Sequence, residues 1–276
     1  MDLAKVKERQ RLAWGLGDYS PLSRMLRPAA EALRDACAVS AGQEVLDVAA
    51  GDGNFALLAA REGATVVASD LSPGMIERGR ARSESEGYGI EWMEADAEDL
   101  PFEGSRFDCV GSAFGAMIAP RPRRVAEEMF RVTRPGGTIG MTAWTPESAL
   151  VKLFSVGRRY QPMPPDMPKM EEWGDEQTVR ERFDGLAGRV ELERRSLAWE
   201  AESLDAMDAM RAEAPISVAT RQSLDPDTYE KLQAEERQVA ESLIEGDGPV
   251  RITAGRSRAA SSMSDRVVEE VIAFAN

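Results

Sequence analysis

The chain contains no histidine. That absence excludes a Ser-His-Asp relay, an imidazole general base and any imidazole-ligated metal. Cysteine is almost as scarce: Cys37 and Cys109 give neither metal-ligand spacing nor a disulfide framework, and each sits in an apolar run that suits a small buried side chain. Positive charge is in deficit, with a formal net charge of −14. A nucleic-acid partner needs a basic face to displace counterions, so none is expected. The local group Arg121, Arg123, Arg124, Arg131 and Arg134 reads as a solvated helix face. No run approaches the roughly 20 apolar residues of a membrane helix. The opening MDLAKVKERQRLAW lacks the apolar centre of a signal peptide. A cytoplasmic protein without stable membrane insertion is the expectation.

What is present is an alternation. EVLDVA (44–49) is an apolar, β-branched run that ends at a glycine turn, followed by the helical pattern NFALLAAREG. ATVVASD (64–70) reads as a second strand; Ser72 and Pro73 then supply a cap and first-turn proline for the next helix. Strands follow at 90–96, 107–114 and 138–145, with a helix over 121–133. Such alternation predicts a parallel sheet covered on both faces, whose ligands bind at the carboxyl ends of its strands. Residues 1–40 read as mostly helical: Ser20-Pro21 repeats the cap signal, and Pro28 should kink or divide the helix it opens. Beyond residue 146, helices are expected near 148–159 and 176–184 and over 203–244, divided by Pro215 and Pro226. Strands are expected at 190–201 and 246–254, and a terminal helix at 264–276.

Chemistry gathers on the predicted strand ends. Asp47 to Gly53 joins the first strand to the first helix, where small residues (Ala49, Gly51, Gly53) let a ligand approach the backbone. A glycine turn alone is weak evidence, since many such loops need residues without Cβ. Asp70 ends the second strand, where a carboxylate can accept from both hydroxyls of a ribose. Asp96 ends the third, within DAEDLPF, where a side-chain acceptor and a backbone N–H suit the edge of an adenine. Bland alternatives exist: Asp47 as a cap, Met75 as core, Phe114 and Trp144 as sheet-end packing.

The series VLDVAAGDGN, SDLSPGMI, EADAEDLPF, FDCVGSAFG and RPGGTIGMTAW resembles the successive motifs of class I S-adenosylmethionine-dependent methyltransferases. It is most similar to the bacterial group related to ubiquinone and menaquinone methyltransferases. The likeness covers residues 10–147, with WGLGDYSPL and WTPES among its marks, and thins beyond to WGDEQTVRERF. It implies a Rossmann-like, doubly wound, mostly parallel seven-stranded sheet, with N-terminal helices and a helical lid in the C-terminal half. The implied cofactor is S-adenosyl-L-methionine, leaving as S-adenosyl-L-homocysteine. Asp47, Ala49, Gly51 and Gly53 would hold its methionine part, Asp70 its ribose, and Leu71 and Met75 would flank adenine. Asp96, Ala97 and Glu98 would read the adenine edge, Ser112 and Phe114 would line the sulfonium side, and Tyr19, with Trp14, would close over the methionine end.

An activated methyl needs an aligned nucleophile and exclusion of water more than it needs a base. Any base must be a carboxylate, Tyr, Lys or Cys; the candidates near the rim are Tyr19, Asp18 and acids of the 146–245 region. The acceptor is expected to be a small molecule bound by the second half, where Tyr160, the Met/Pro-rich 162–170 segment and Trp173 offer apolar surface, or a homodimer interface. Residues 1–40, 41–147 and 148–276 thus divide as helical cap, cofactor core and acceptor region of one structural domain. Two rival readings are a nicotinamide-dependent oxidoreductase, since Gly51 to Ala56 satisfies a loose dinucleotide fingerprint, and a non-catalytic sensor of the same cofactor.

Overall fold

The computed structural model describes residues 2–244, 250–254 and 270–275. Two helices lead, α1 (Leu3–Ala13) and α2 (Ser20–Ala36). Then β1 (Glu44–Val48), α3 (Asn54–Arg61), β2 (Thr65–Asp70), α4 (Pro73–Glu86), β3 (Glu91–Glu94) and β4 (Phe107–Ala113) alternate. A 3-10 turn (Ala116–Ile118), α5 (Pro122–Val132) and β5 (Thr133–Trp144) complete this half. The second half carries α6 (Ala149–Tyr160), a second 3-10 turn (Met170–Gly174), α7 (Glu176–Phe183), β6 (Val190–Arg195) and β7 (Leu197–Ala201). It continues through α8 (Leu204–Ala212), α9 (Pro215–Ser223), α10 (Pro226–Leu243), β8 (Val250–Ala254) and β9 (Glu270–Ala275).

The main sheet has the order β3-β2-β1-β4-β5-β9-β6. Pairings from β3 through β5 are parallel, whereas β9 runs antiparallel to both β5 and β6. The α/β class and its mostly parallel sheet are those expected. Strand order reverses at β1 and β4, which opens a crevice at their carboxyl ends. Strand alternation sorts the core into two layers: Val45 faces the cluster of α2 and α3 with Leu33, Phe55 and Ala59, while Leu46 and Val48 face that of α5 with Val125, Met129 and Val132.

Three expectations are corrected. First, α2 runs unbroken through Pro28. Its apolar stripe, with Leu26, Ala29, Ala30 and Leu33 buried, outweighs the one backbone bond that proline removes. Second, the 190–201 segment is not one strand: β6 joins the main sheet, and β7 turns away after Ser196 to pair with β8. Third, residues 270–275 form a strand instead of a terminal helix. A short apolar run such as VIAFA satisfies either period, and the open edge of β5 selects the strand. The rest of that expected helix, from 264 to 269, lies outside the described residues.

Candidate active site

The β1 end is built around two buried acids. Asp47 is buried beneath the glycine turn, and its Oδ2 accepts from the Ala56 N–H of α3 at 2.9 Å. Its Oδ1 is buried without a partner. Burial pushes its carboxyl well above the usual range, against the pull of the Ala56 bond, with Asp70 and Asp52 adding to the rise. Asp70 ends β2 and receives two backbone donors: Gly51 N–H to Oδ2 and Ser72 N–H to Oδ1, both at 2.8 Å. Burial nevertheless raises it to about 6. Each oxygen retains a lone pair for a further donor.

The turn between these acids is tightly determined. Ala49 and Phe114 both take positive φ, 53° and 60°, a conformation most side chains avoid. They stand at the ends of β1 and β4, the two strands flanking the crevice. Backbones there come so close that a Cβ on Gly115 would lie 2.0 Å from the Ala49 carbonyl oxygen. Ser112 braces the same corner, donating to the Val48 carbonyl at 2.7 Å and accepting from Ala116 N–H at 2.9 Å. Its hydroxyl is thus committed to structure, and only its backbone is left to line a ligand. Gly53 opens α3 with φ 90°, and a Cβ there would meet the Trp92 ring at 2.7 Å.

Tyr19 arrives from the segment between α1 and α2. Its ring lies against Gly51, 3.5 Å from where a Cβ would stand, and Trp14 meets it edge-on with ring centroids 6.1 Å apart. Burial, with Asp52, Asp70 and Asp47 nearby, drives its phenol far above the usual range. A phenol so hard to ionise is a poor base but a good wall and donor. Asp18 is exposed and accepts from the Ser20 N–H at 2.9 Å just ahead of α2, whose cap position is Tyr19 and not the expected Ser20. That backbone bond, with the Ser20 side chain, holds it below the usual carboxylate range, which weakens it as a base.

On the β3 side, Asp96 Oδ1 accepts from the Glu98 N–H at 2.9 Å and Oδ2 pairs with Lys7 of α1 at 2.5 Å. Glu98 is fully buried, and its carboxylate is taken by Lys7 and by Arg121, whose Nε lies 2.7 Å away. It therefore fastens α1 and α5 to this loop. Met75 is buried and Leu71 half-buried at the start of α4; Ala97 is half-buried against the core. Phe114 stacks on Trp144 at 4.1 Å, joining the ends of β4 and β5. The arginines of 121–134 are paired with Glu98, Glu127, Glu128 and Asp108.

Sequence reading missed Ser23, Asp52, Asn54 and Arg82. Ser23 Oγ donates to Asp52 at 2.7 Å, the Asn54 amide donates to the Ser23 carbonyl at 2.7 Å, and Arg82 reaches Asp52 at 3.1 Å. The available signal was the acid inside the glycine turn, which a turn needing only small residues does not require.

A model of the methyltransferase domain matches residues 45–137, the stretch that holds the crevice. Two uncharacterized proteins of Mycobacterium tuberculosis are 42% and 41% identical over 189 and 181 residues. The matches cover 68% and 64% of this chain, and 69% and 66% of those relatives, so the chain spans about two thirds of their length. The chain belongs to the class I S-adenosylmethionine-dependent methyltransferases. A demethylmenaquinone methyltransferase of Clavibacter sepedonicus is 42% identical over 118 residues, 42% of this chain and 48% of that one. In fold, the chain is similar to a phosphoethanolamine N-methyltransferase of Haemonchus contortus solved with S-adenosylhomocysteine. That match has a TM-score of 0.53 at 16% identity, over 90% of this chain and 52% of the other.

The residues present suit the family's cofactor. The buried Asp47 oxygen without a partner, the open lone pairs of Asp70 and the positive-φ backbone at Ala49 and Gly51 are polar groups whose bonding capacity the chain itself leaves unused. No helix among the described residues is long and apolar enough to cross a membrane.

Proposed function

We propose that this chain transfers a methyl group from S-adenosylmethionine to a small-molecule acceptor in the cytoplasm, by placement and desolvation and without a strong base. The observation that carries the reading is the paired geometry of Asp47 and Asp70 across one glycine turn, each acid anchored by backbone N–H groups and each with acceptor capacity to spare. Asp70 would take the ribose hydroxyls, and Asp47 would orient the turn or the ammonium of the methionine part. Leu71 and Met75 would flank adenine, and Asp96 with the Ala97 backbone would meet its edge, with Lys7 sharing the Asp96 carboxylate. When bound, the cofactor supplies an already activated methyl on a sulfonium.

The remaining work falls to the chain. Tyr19 closes the turn from above; Phe114 and Trp144 form an aromatic wall on the β4–β5 side. Excluding water there and holding a nucleophile in line can contribute up to about 7–11 kcal/mol of barrier reduction. Of the candidate bases, Tyr19 is raised and Asp18 lowered; neither is well tuned, which favours an acceptor that attacks without help from these two groups.

Isothermal calorimetry with S-adenosylhomocysteine and with NAD tests the cofactor assignment: micromolar binding of the first and none of the second is expected, and the reverse result defeats it. Acceptor class is tested by mass spectrometry of methylated products from a panel of quinols, phenols and amines. Quinols lead the panel because a relative is a demethylmenaquinone methyltransferase. Failure of the entire panel, with cofactor bound, would favour a sensor.

A further inference from the structure

No residue of the segment 14–19, which carries Tyr19 over the glycine turn, is fully buried. Its backbone is instead gathered by one side chain. Arg78 of α4 donates through Nη2 to the carbonyls of Gly17 at 2.7 Å, Gly15 at 3.1 Å and Leu16 at 3.3 Å, and through Nη1 to that of Trp14 at 3.4 Å. Four successive carbonyls thus converge on one guanidinium, whose planar fork presents several donors at fixed angles.

Contacts on both sides show that this approach is built. Gly74 lies one turn before Arg78 on α4 and faces Gly15 so closely that a Cβ would stand 2.7 Å from the Gly15 Cα. Across the segment, the Asp18 N–H donates to the Glu213 carbonyl at 2.8 Å. Gly17, at φ 58°, leaves no room for a Cβ, which would fall 2.1 Å from that same oxygen. The segment is therefore clamped between α4 of the cofactor half and the α8–α9 junction of the acceptor half. Arg82, one turn further along α4, holds the next stretch: it donates to Asn54 Oδ1 at 2.9 Å and Ser23 Oγ at 3.1 Å, beside Asp52.

We infer that Arg78 is a positioning residue for cofactor binding: it fixes the segment that sets Tyr19 against Gly51, and so couples closure over the methionine end to the helices of the acceptor half. This rests on the cofactor assignment above. Losing the guanidinium frees four successive carbonyls at once, and the segment loses its register over the turn. Arg78→Lys keeps the charge but supplies a single point of donation in place of the fork.

The test combines calorimetry with S-adenosylhomocysteine and amide hydrogen exchange on the full chain. In Arg78→Ala, affinity is expected to fall about tenfold, the scale of one lost charge-assisted hydrogen bond. The amides of 15–19 should exchange faster while those of β1 keep their protection; Arg78→Lys should lie between. Unchanged affinity, within twofold, in either variant overturns the inference, as does an affinity loss accompanied by lost protection in β1, which marks general destabilisation. If Arg78→Ala does not fold, the Arg78→Lys result alone decides on the same criterion. Absence of S-adenosylhomocysteine binding to the unaltered chain defeats the cofactor assignment itself, a different result from unchanged affinity in the variants.

Discussion

The acids at the glycine turn and a buried acid of the second half are held in opposite ways. At the glycine turn, Asp47 and Asp70 are met by backbone N–H groups and no cation, so burial wins and both are raised. In the second half, Glu171 is nearly as buried, yet Arg158 grips both of its oxygens, at 2.5 and 2.6 Å. Burial pushes Glu171 up, but the Arg158 bonds and its own backbone outweigh that and leave it lowered. Backbone donors leave acceptor capacity free for a ligand, whereas a bidentate arginine uses it up. The first arrangement suits a site and the second a fastening.

That contrast is broken most directly by Asp70→Ala. It removes the acceptor for Gly51 and Ser72 N–H as well as the carboxylate proposed for ribose, and each stranded donor costs roughly 1–3 kcal/mol. Affinity for S-adenosylhomocysteine, measured by calorimetry, should fall at least about 100-fold, close to 2.7 kcal/mol. A fall of less than tenfold would put Asp70 outside the site.

The next effect is on pH dependence. With Asp70 at about 6, hydroxyl donors favour its ionised form, so binding should release protons, and affinity should drop about tenfold from pH 7 to pH 5. In Asp70→Asn the profile should be flat across that window. The folding contributions of Asp70 and Glu171 differ in sign. The raised Asp70 contributes stability that is fully present below its unfolded value near ~4 and lost as pH rises through about 6. The lowered Glu171 contributes stability above its unfolded value and loses it as pH falls through its folded one. Thermal melts of Asp70→Asn and Glu171→Gln across pH 4–8 should therefore diverge in slope.

Glu171→Ala leaves the Arg158 guanidinium without its carboxylate. Discounted for solvent screening, the loss should be about 1–2 kcal/mol of stability in a denaturant titration, with cofactor affinity unchanged within twofold. A comparable loss of cofactor affinity would erase the distinction between the two arrangements. The smallest effect is expected of Lys7→Ala: Glu98 keeps Arg121, so only the Asp96 contact is freed and affinity should shift by about two- to threefold.

This division also explains what could be read from the chain beforehand. Backbone-held chemistry leaves a local trace: Gly51 and Gly53 are needed at positive φ, Asp70 ends its strand and Asp96 follows two residues after the end of β3. The sheet, its crevice and the positions of these residues were therefore legible. Side-chain fastenings are not, because Lys7 with Glu98, Arg82 with Asp52 and Arg158 with Glu171 join residues whose spacing has no period. Ser112 was legible in position and not in role, since nothing local reveals that its hydroxyl faces the Val48 carbonyl. The misread of 270–275 has the same origin: a partner strand more than a hundred residues away decides its state.

That last strand has a consequence for how the molecule is made. Trp144 pairs with Glu270 and Ile139 with Ala275, and β6 reaches the sheet only through β9. Synthesis delivers β5 long before β9, so during translation the nascent sheet presents β5 as a bare edge, and β6 waits for a strand not yet made. Such late, long-range pairing is slow and exposes the chain to edge-to-edge association. A fragment ending after β5 would hold every residue assigned to the cofactor and still carry that bare edge permanently. Its solubility, more than its binding chemistry, would be what the missing strand governs.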